Sequence, residues 1–233
     1  MQQELVNSRA GGAAGSSGVV YTVETPIVYN GALDDVSAGS EIRLILVADN
    51  PGRREQAAVN RRYLVGPSGK IAGRFFHDNP CLGIDFHENV IILNKTPIHT
   101  PRTADLRELC RLGGGVLAKA LSESQRIMAR LLMDFHQALS PVPVWIIGYS
   151  EMKKNGIFAA YTETLEELYR PPAGISAAAR PAASPLWEQI CIYRHFSMNQ
   201  FTIDLRQQAS SGESLEASLA RIGAAYRRRV LGW

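Results

Sequence analysis

The stretch on which the fold turns is "EIRLILVADNPGRREQ", residues 41–56. An apolar run from Ile42 to Ala48 stops at Asp49-Asn50-Pro51-Gly52, two polar side chains followed by a Pro-Gly turn. A strand covered by helices on both faces reads as unbroken apolar residues, whereas a strand with one wet face alternates. Residues 42–48 read as the covered kind, and so do 89–94 "NVIILN" and 143–149 "PVWIIGY"; a fourth run lies at 190–194 "ICIYR". Helical periodicity fills the intervals. A Ser-x-x-Gln capping box opens residues 122–139, with Ile127, Leu131, Met133/Asp134 and Phe135 around one stripe. Residues 213–230 carry acids in the first turn and Arg in the last, which suits the helix dipole. Strands separated by helices predict one domain, a three-layer α/β/α sandwich with a mostly parallel four-stranded sheet.

In such folds ligands bind beyond the carboxyl ends of the strands. The four strand exits are Asp49-Asn50-Pro51-Gly52, Asn94-Lys95-Thr96-Pro97, Gly148-Tyr149-Ser150 and His195-Phe196-Ser197. Each ends in polar or turn-forming residues suited to converging on one crevice.

Composition excludes more than it specifies. The 233 residues carry a net charge of +3, so gross electrostatics does not announce a nucleic-acid binder, although the 25 basic residues comprise 20 Arg and only 5 Lys. Arg binds phosphate bidentately and stacks on bases, so the skew is compatible with DNA contact; a GC-rich genome yields the same skew. Cys81, Cys110 and Cys191 are far apart and form no C-x-x-C pair, which argues against zinc or a thiolate-held cluster and for small buried residues in a reducing compartment. No apolar stretch is long enough to span a membrane, residues 1–18 read as a flexible leader without a signal-peptide core, and the expected location is cytoplasmic. The Pro/Ala-rich segment 171–185 reads as a surface loop within the single domain 19–233.

Several familiar patterns fail. "GPSGK" at 66–70 lacks the Gly at 64 and the Ser or Thr at 71 of a phosphate-binding loop, having Leu64 and Ile71. "GYSEM" at 148–152 has Met152 where a nucleophile elbow needs glycine. The histidines at 77, 87, 99, 136 and 195 show no metal-binding spacing. The set that survives is Asn50, Asn94 and His195, one from each of three strand ends. Two amides and an imidazole suit a planar polar heterocycle: an amide matches an O=C–N–H edge at two points, and an imidazole donates to charge building on a carbonyl oxygen. Three unrelated turn residues are the alternative.

The order "ADNPG … RYLVGPSGK … VIILNKTP … VWIIGYSE … YRHFSMNQF" resembles the uracil-DNA glycosylase superfamily over residues 40 to 205. Asp49-Asn50-Pro51-Gly52 is similar to the G-x-N-P-G form of that family's first motif, and "YLVGPSG" looks like a segment of its iron–sulfur branches, without the cluster cysteines. The resemblance implies a monofunctional DNA glycosylase, with no metal and no cofactor, acting as a monomer on uracil or a related deaminated base flipped out of single-stranded or mismatched DNA. It implies that Asn50 orients the attacking water, Asn94 reads the base edge and His195 donates to the developing charge on the base. Ser197 is implied as a phosphate ligand, and Met198, Asn199 or Phe201 as the wedge that fills the vacated stack. Arg53, Arg54, Arg61, Arg62 and Arg194 are phosphate contacts in this reading.

Several residues depart from the family pattern. Ala48 stands for the first motif glycine and Phe196 for the proline of H-P-S. Leu64 occupies the place of a base-stacking Phe, with Tyr63 beside it. Asp49 adds a carboxylate next to the catalytic position, either as the true base or as a helix cap after Pro51. The rival expectation is a protein of the same fold that binds nucleic acid or nucleobase without catalysis.

Overall fold

The computed structural model describes residues 27–57, 59–60, 62–169 and 186–233. The leader over 1–18, Arg61 and the segment 171–185 lie outside the described residues.

The four apolar runs form β1 (Leu44–Ala48), β2 (Val90–Asn94), β3 (Val144–Ile147) and β4 (Ile190–Tyr193). They make one sheet in the order β2-β1-β3-β4, and every pairing is parallel. Every residue of β1 and of β3, the two central strands, is buried, which is why both are apolar without alternation. The register aligns Ala48 with Asn94 and Ile147 with Tyr193, so all four chains leave the sheet at one edge.

The helices are α1 (Pro67–Asp78), α2 (Asp105–Leu139), α3 (Ala159–Tyr169), α4 (Gln200–Gln208) and α5 (Leu215–Leu231). On one face, Phe75 and Phe76 of α1 and Phe201 of α4 surround Trp145 of β3. There α5 comes close to β4: a Cβ on Gly223 would lie 2.5 Å from Cys191 Cβ, and Tyr193 Oη donates to Leu219 O at 2.9 Å. The second helical layer is α2 with α3, joined through Gln125: its Nε2 donates to Ile157 O, and its Oε1 accepts from Tyr161 N–H.

Three expectations need correction. Helix α2 begins at Asp105, not at Ser122, and is interrupted at Gly114 (φ 59°). The Ser-x-x-Gln box therefore lies inside a helix, and its Gln125 serves the first turn of α3 instead of the start of its own helix. The buried stripe of α2 is Leu121, Gln125, Met128, Ala129, Leu132, Met133 and His136, whereas Ile127 is exposed. The three glycines at 113–115 hide the continuity of the helix before them with the one after, because glycine lowers helix propensity most after proline. Third, the cysteines are not uniformly buried: Cys81 is exposed, on a 3₁₀ turn, and Cys110 and Cys191 are half-buried. The C-terminal helix matches its pattern, with Ser214 Oγ accepting from Ala217 N–H at 3.2 Å. Among the described residues no helix is long and apolar enough to cross a membrane.

Candidate active site

At the carboxyl edge of the sheet lies an open cleft of about 800 Å³. Ala48, Asp49 and Asn50 from the end of β1, Asn94 from β2, Gly148 and Tyr149 from β3, and Arg194 and His195 from β4 line it. The parallel topology brings them together, because it places all four strand ends on one edge.

Asp49 is held by Lys95, the residue after Asn94. Lys95 Nζ donates to Asp49 Oδ1 at 2.6 Å, to Ile147 O at 2.7 Å and to Gly148 O at 3.0 Å. Three acceptors require three N–H donors, so this geometry is that of an ammonium. The Lys95 side chain is 0% exposed and that of Asp49 is 19% exposed, so the pair opens to the cleft through the carboxylate alone. Burial pushes the Lys95 pKa down, and the charge and hydrogen bond of Asp49 push it back up. The Phe158 ring, 5.2 Å from Nζ, closes the pocket. Gly148 has φ +79°, and a Cβ there would lie 2.7 Å from Asp49 Oδ1, so the carboxylate needs a glycine beside it.

Asn50 lines the cleft with its amide engaged at both ends. Its Nδ2 donates to Thr100 Oγ1 at 3.0 Å, and its Oδ1 accepts from Thr103 Oγ1 at 2.9 Å. His99 Nδ1 meets Pro51 O at 2.9 Å, so the turn after β1 is fastened to segment 99–103. Asn94 is 2% exposed, and its carboxamide forms no hydrogen bond among the described residues. Its polar atoms are left for whatever fills the cleft.

The Nδ1 of His195 accepts from the Ser197 backbone N–H at 3.0 Å. A backbone N–H can only donate, so the neutral ring carries its proton on Nε2. Burial pushes the His195 pKa down; the charge of Asp49 opposes this and that of Lys95 adds to it. Behind the imidazole, Phe196 is fully buried and stacks on Phe201 at 4.3 Å, and Phe201 N–H donates to His195 O at 3.1 Å. Phe196 thus anchors the loop by packing.

The remaining predicted residues divide. Leu64, with a left-handed φ of 56°, and Ser197 line the cleft. Gly69 secures the Leu64 turn, since a Cβ there would lie 1.5 Å from Leu64 O. Tyr63 is buried outside the cleft, its hydroxyl donating to Val28 O at 2.9 Å. Met198 is 83% exposed and Asn199 exposed, both with left-handed φ, on the turn just after the cleft-lining Ser197. Phe201 is buried in the aromatic cluster and not available as a wedge. Arg53 lines the cleft without an ion pair among the described residues, as does Arg54, whereas Arg194 pairs with Asp204 at 3.1 Å. Arg62 donates to His87 O, away from the cleft.

Sequence reasoning missed Lys95, Glu55, Thr100 and Thr103. Glu55 is buried at the cleft wall, where its Oε1 accepts from Gly66 N–H, at the start of α1, at 3.1 Å. The only sequence signal for Lys95 is a charged residue directly after a buried apolar run. Among the described residues no group of three or more His, Cys, Asp and Glu side chains is placed to hold a metal ion. Neither a scan against protein-family models nor a search of curated proteins finds a match to this chain.

Proposed function

We propose that the chain is a monofunctional DNA glycosylase that hydrolyses the N-glycosidic bond of uracil or a related deaminated base turned out of DNA into the cleft. The observation that carries this reading is the meeting of three chemically distinct groups in one cleft: the Asp49 carboxylate, the unpartnered Asn94 amide and the Nε2–H of His195. Asn94 offers a donor and an acceptor to the O=C–N–H edge of a uracil-like ring. His195 donates to the carbonyl oxygen that gains charge as the bond from N1 to C1′ breaks. Asp49 accepts a proton from the water that adds to C1′, and the base leaves as an anion held by the imidazole. Asn50, whose amide is occupied by Thr100 and Thr103, fixes the turn that carries Asp49.

DNA is the partner in this reading. Arg53, Arg54 and Ser197 supply phosphate contacts, and the exposed Met198 enters the gap left by the extruded base, offsetting part of the few kcal/mol that flipping costs. The protein acts as a monomer without metal or cofactor, and its unpaired cysteines fit a cytoplasmic site of action.

The test is abasic-site formation on single-stranded and mismatched oligonucleotides carrying uracil, hypoxanthine or xanthine. Asp49→Asn should slow excision on the order of 100-fold or more, the usual contribution of a general base. Measurable DNA binding with no abasic product on any substrate would replace this reading with that of a silent binding protein.

A further inference from the structure

Lys95 is the most buried charge at the cleft. Its backbone leaves the end of β2, where its N–H donates to both Ala48 O and Asp49 O, at 2.9 and 3.0 Å. Its side chain then passes β1 and ends on the carbonyls of Ile147 and Gly148, at the end of β3. Because the strand order is β2-β1-β3, one residue ties three strand ends together, and the Asp49 carboxylate sits on that tie.

We propose that Lys95 is the positioning residue of the site: its ammonium seats Asp49 against Gly148 so that Oδ2, which has no partner among the described residues, faces the cleft and takes the proton of the attacking water. The proposal rests on the glycosylase reading for its chemistry, and on geometry alone for its placement of Asp49.

Several features separate this from a purely structural tie. An apolar side chain of the same length would fill the space beside Phe158 without a buried charge, which is costly to desolvate unless paired. The carboxylate is the one member of the pair that reaches the cleft. Lys95 occupies Oδ1, and the absent Cβ of Gly148 leaves room for the carboxylate, both of whose oxygens would lie within 3.0 Å of such a Cβ. Burial lowers the His195 pKa, the Asp49 charge opposes this, and the Lys95 charge offsets part of that opposition, so the buried cation bears on both groups. The titratable groups that share the cleft with Asp49 are His195 and Arg194 after β4, Tyr149 after β3, Arg53, Arg54 and Glu55 after β1, and Arg102, while Lys95 lies behind it and Gly148 contributes backbone.

Four proteins test this: wild type, Asp49→Asn, Lys95→Met and the double variant, each checked for folding by thermal melting. The single-turnover excision rate and the dissociation constant for a uracil oligonucleotide are measured for each. Lys95→Met should lower the rate by about 100-fold, as loss of a general base does, while binding changes by no more than about threefold. In the Asp49→Asn background the same substitution should cost nothing further, because residues acting as a unit are not additive. A folded Lys95→Met protein with the wild-type rate, or a loss that adds fully to that of Asp49→Asn, overturns the proposal. Should Lys95→Met not fold, Lys95→Gln replaces it, retaining two N–H donors without the charge. If wild type excises no base, the glycosylase reading falls and the placement is judged from crystal structures. A carboxylate that turns away from Gly148 in Lys95→Met upholds the positioning role, and one that stays seated refutes it.

Discussion

Asp49 and His195 show how one residue's environment sets what it can do. Both sit at the end of an apolar strand, and each has one polar atom taken by the protein and one left over: Oδ1 by Lys95, Nδ1 by the Ser197 amide. The leftover atoms, Oδ2 and Nε2–H, are an acceptor and a donor, the pair that hydrolysis of an N-glycosidic bond needs. Gly148 is as much part of this arrangement as the polar residues. Gly148→Ala should destabilise by about 1–2 kcal/mol for the left-handed φ alone and should also displace Asp49. The measurement is a urea titration beside an excision assay, with the loss of activity exceeding what the lost stability explains. At this scale the sequence was legible in part. Asp49, Asn94 and His195 stand out as polar residues ending apolar runs. Asn50 stands out equally, and what the sequence hides is that its amide is also engaged by Thr100 and Thr103, 50 and 53 residues further along the chain.

At the scale of elements, the helices were harder to read than the strands. Strand β1 announces itself because every residue is buried, so no position tolerates a polar side chain. Helix α2 buries only one stripe and includes Gly113-Gly114-Gly115, so its first part carried no clear period. Gln125, polar and buried, serves α3 in a way that no local pattern announces. Arg227 on α5 is the corresponding case for the C-terminal helix. It is 6% exposed, and its Nη1 donates to Glu188 O at 2.7 Å and Ile190 O at 2.8 Å, with the guanidinium 5.0 Å from the Trp187 ring. It fastens α5 to the 3₁₀ turn Leu186–Gln189 and to the entry of β4, the strand that delivers His195. Arg227→Met should cost about 3 kcal/mol, because the carbonyls it satisfies become orphans. A fall in the urea midpoint without a change in slope would report that loss.

For the whole molecule, two histidines, His136 in the core and the half-buried His195 at the cleft, set a pH dependence of stability. His136, fully buried, lies between Tyr169 Oη at 3.1 Å and Gln189 Oε1 at 3.2 Å, and burial lowers its pKa, as it does for His195. Both are lowered from 6.5, so on acidification the unfolded chain takes up protons before the folded one. Stability should be full above about pH 6.5, the unperturbed histidine value, and fall as pH drops below it. Thermal melting at stepped pH checks this, and His136→Asn should flatten the slope without abolishing it, since His195 remains. The sequence by itself determined the four-stranded α/β core and the edge where a site would form. Burial dictates apolar runs strand by strand, and parallel strands end on one side. Only the tertiary structure decided which polar residue meets which. Lys95 reaches Asp49 because β2 lies beside β1, and it reaches Gly148 O because β3 lies on the other side. Strand order is a property of the folded whole, and no local periodicity carries it.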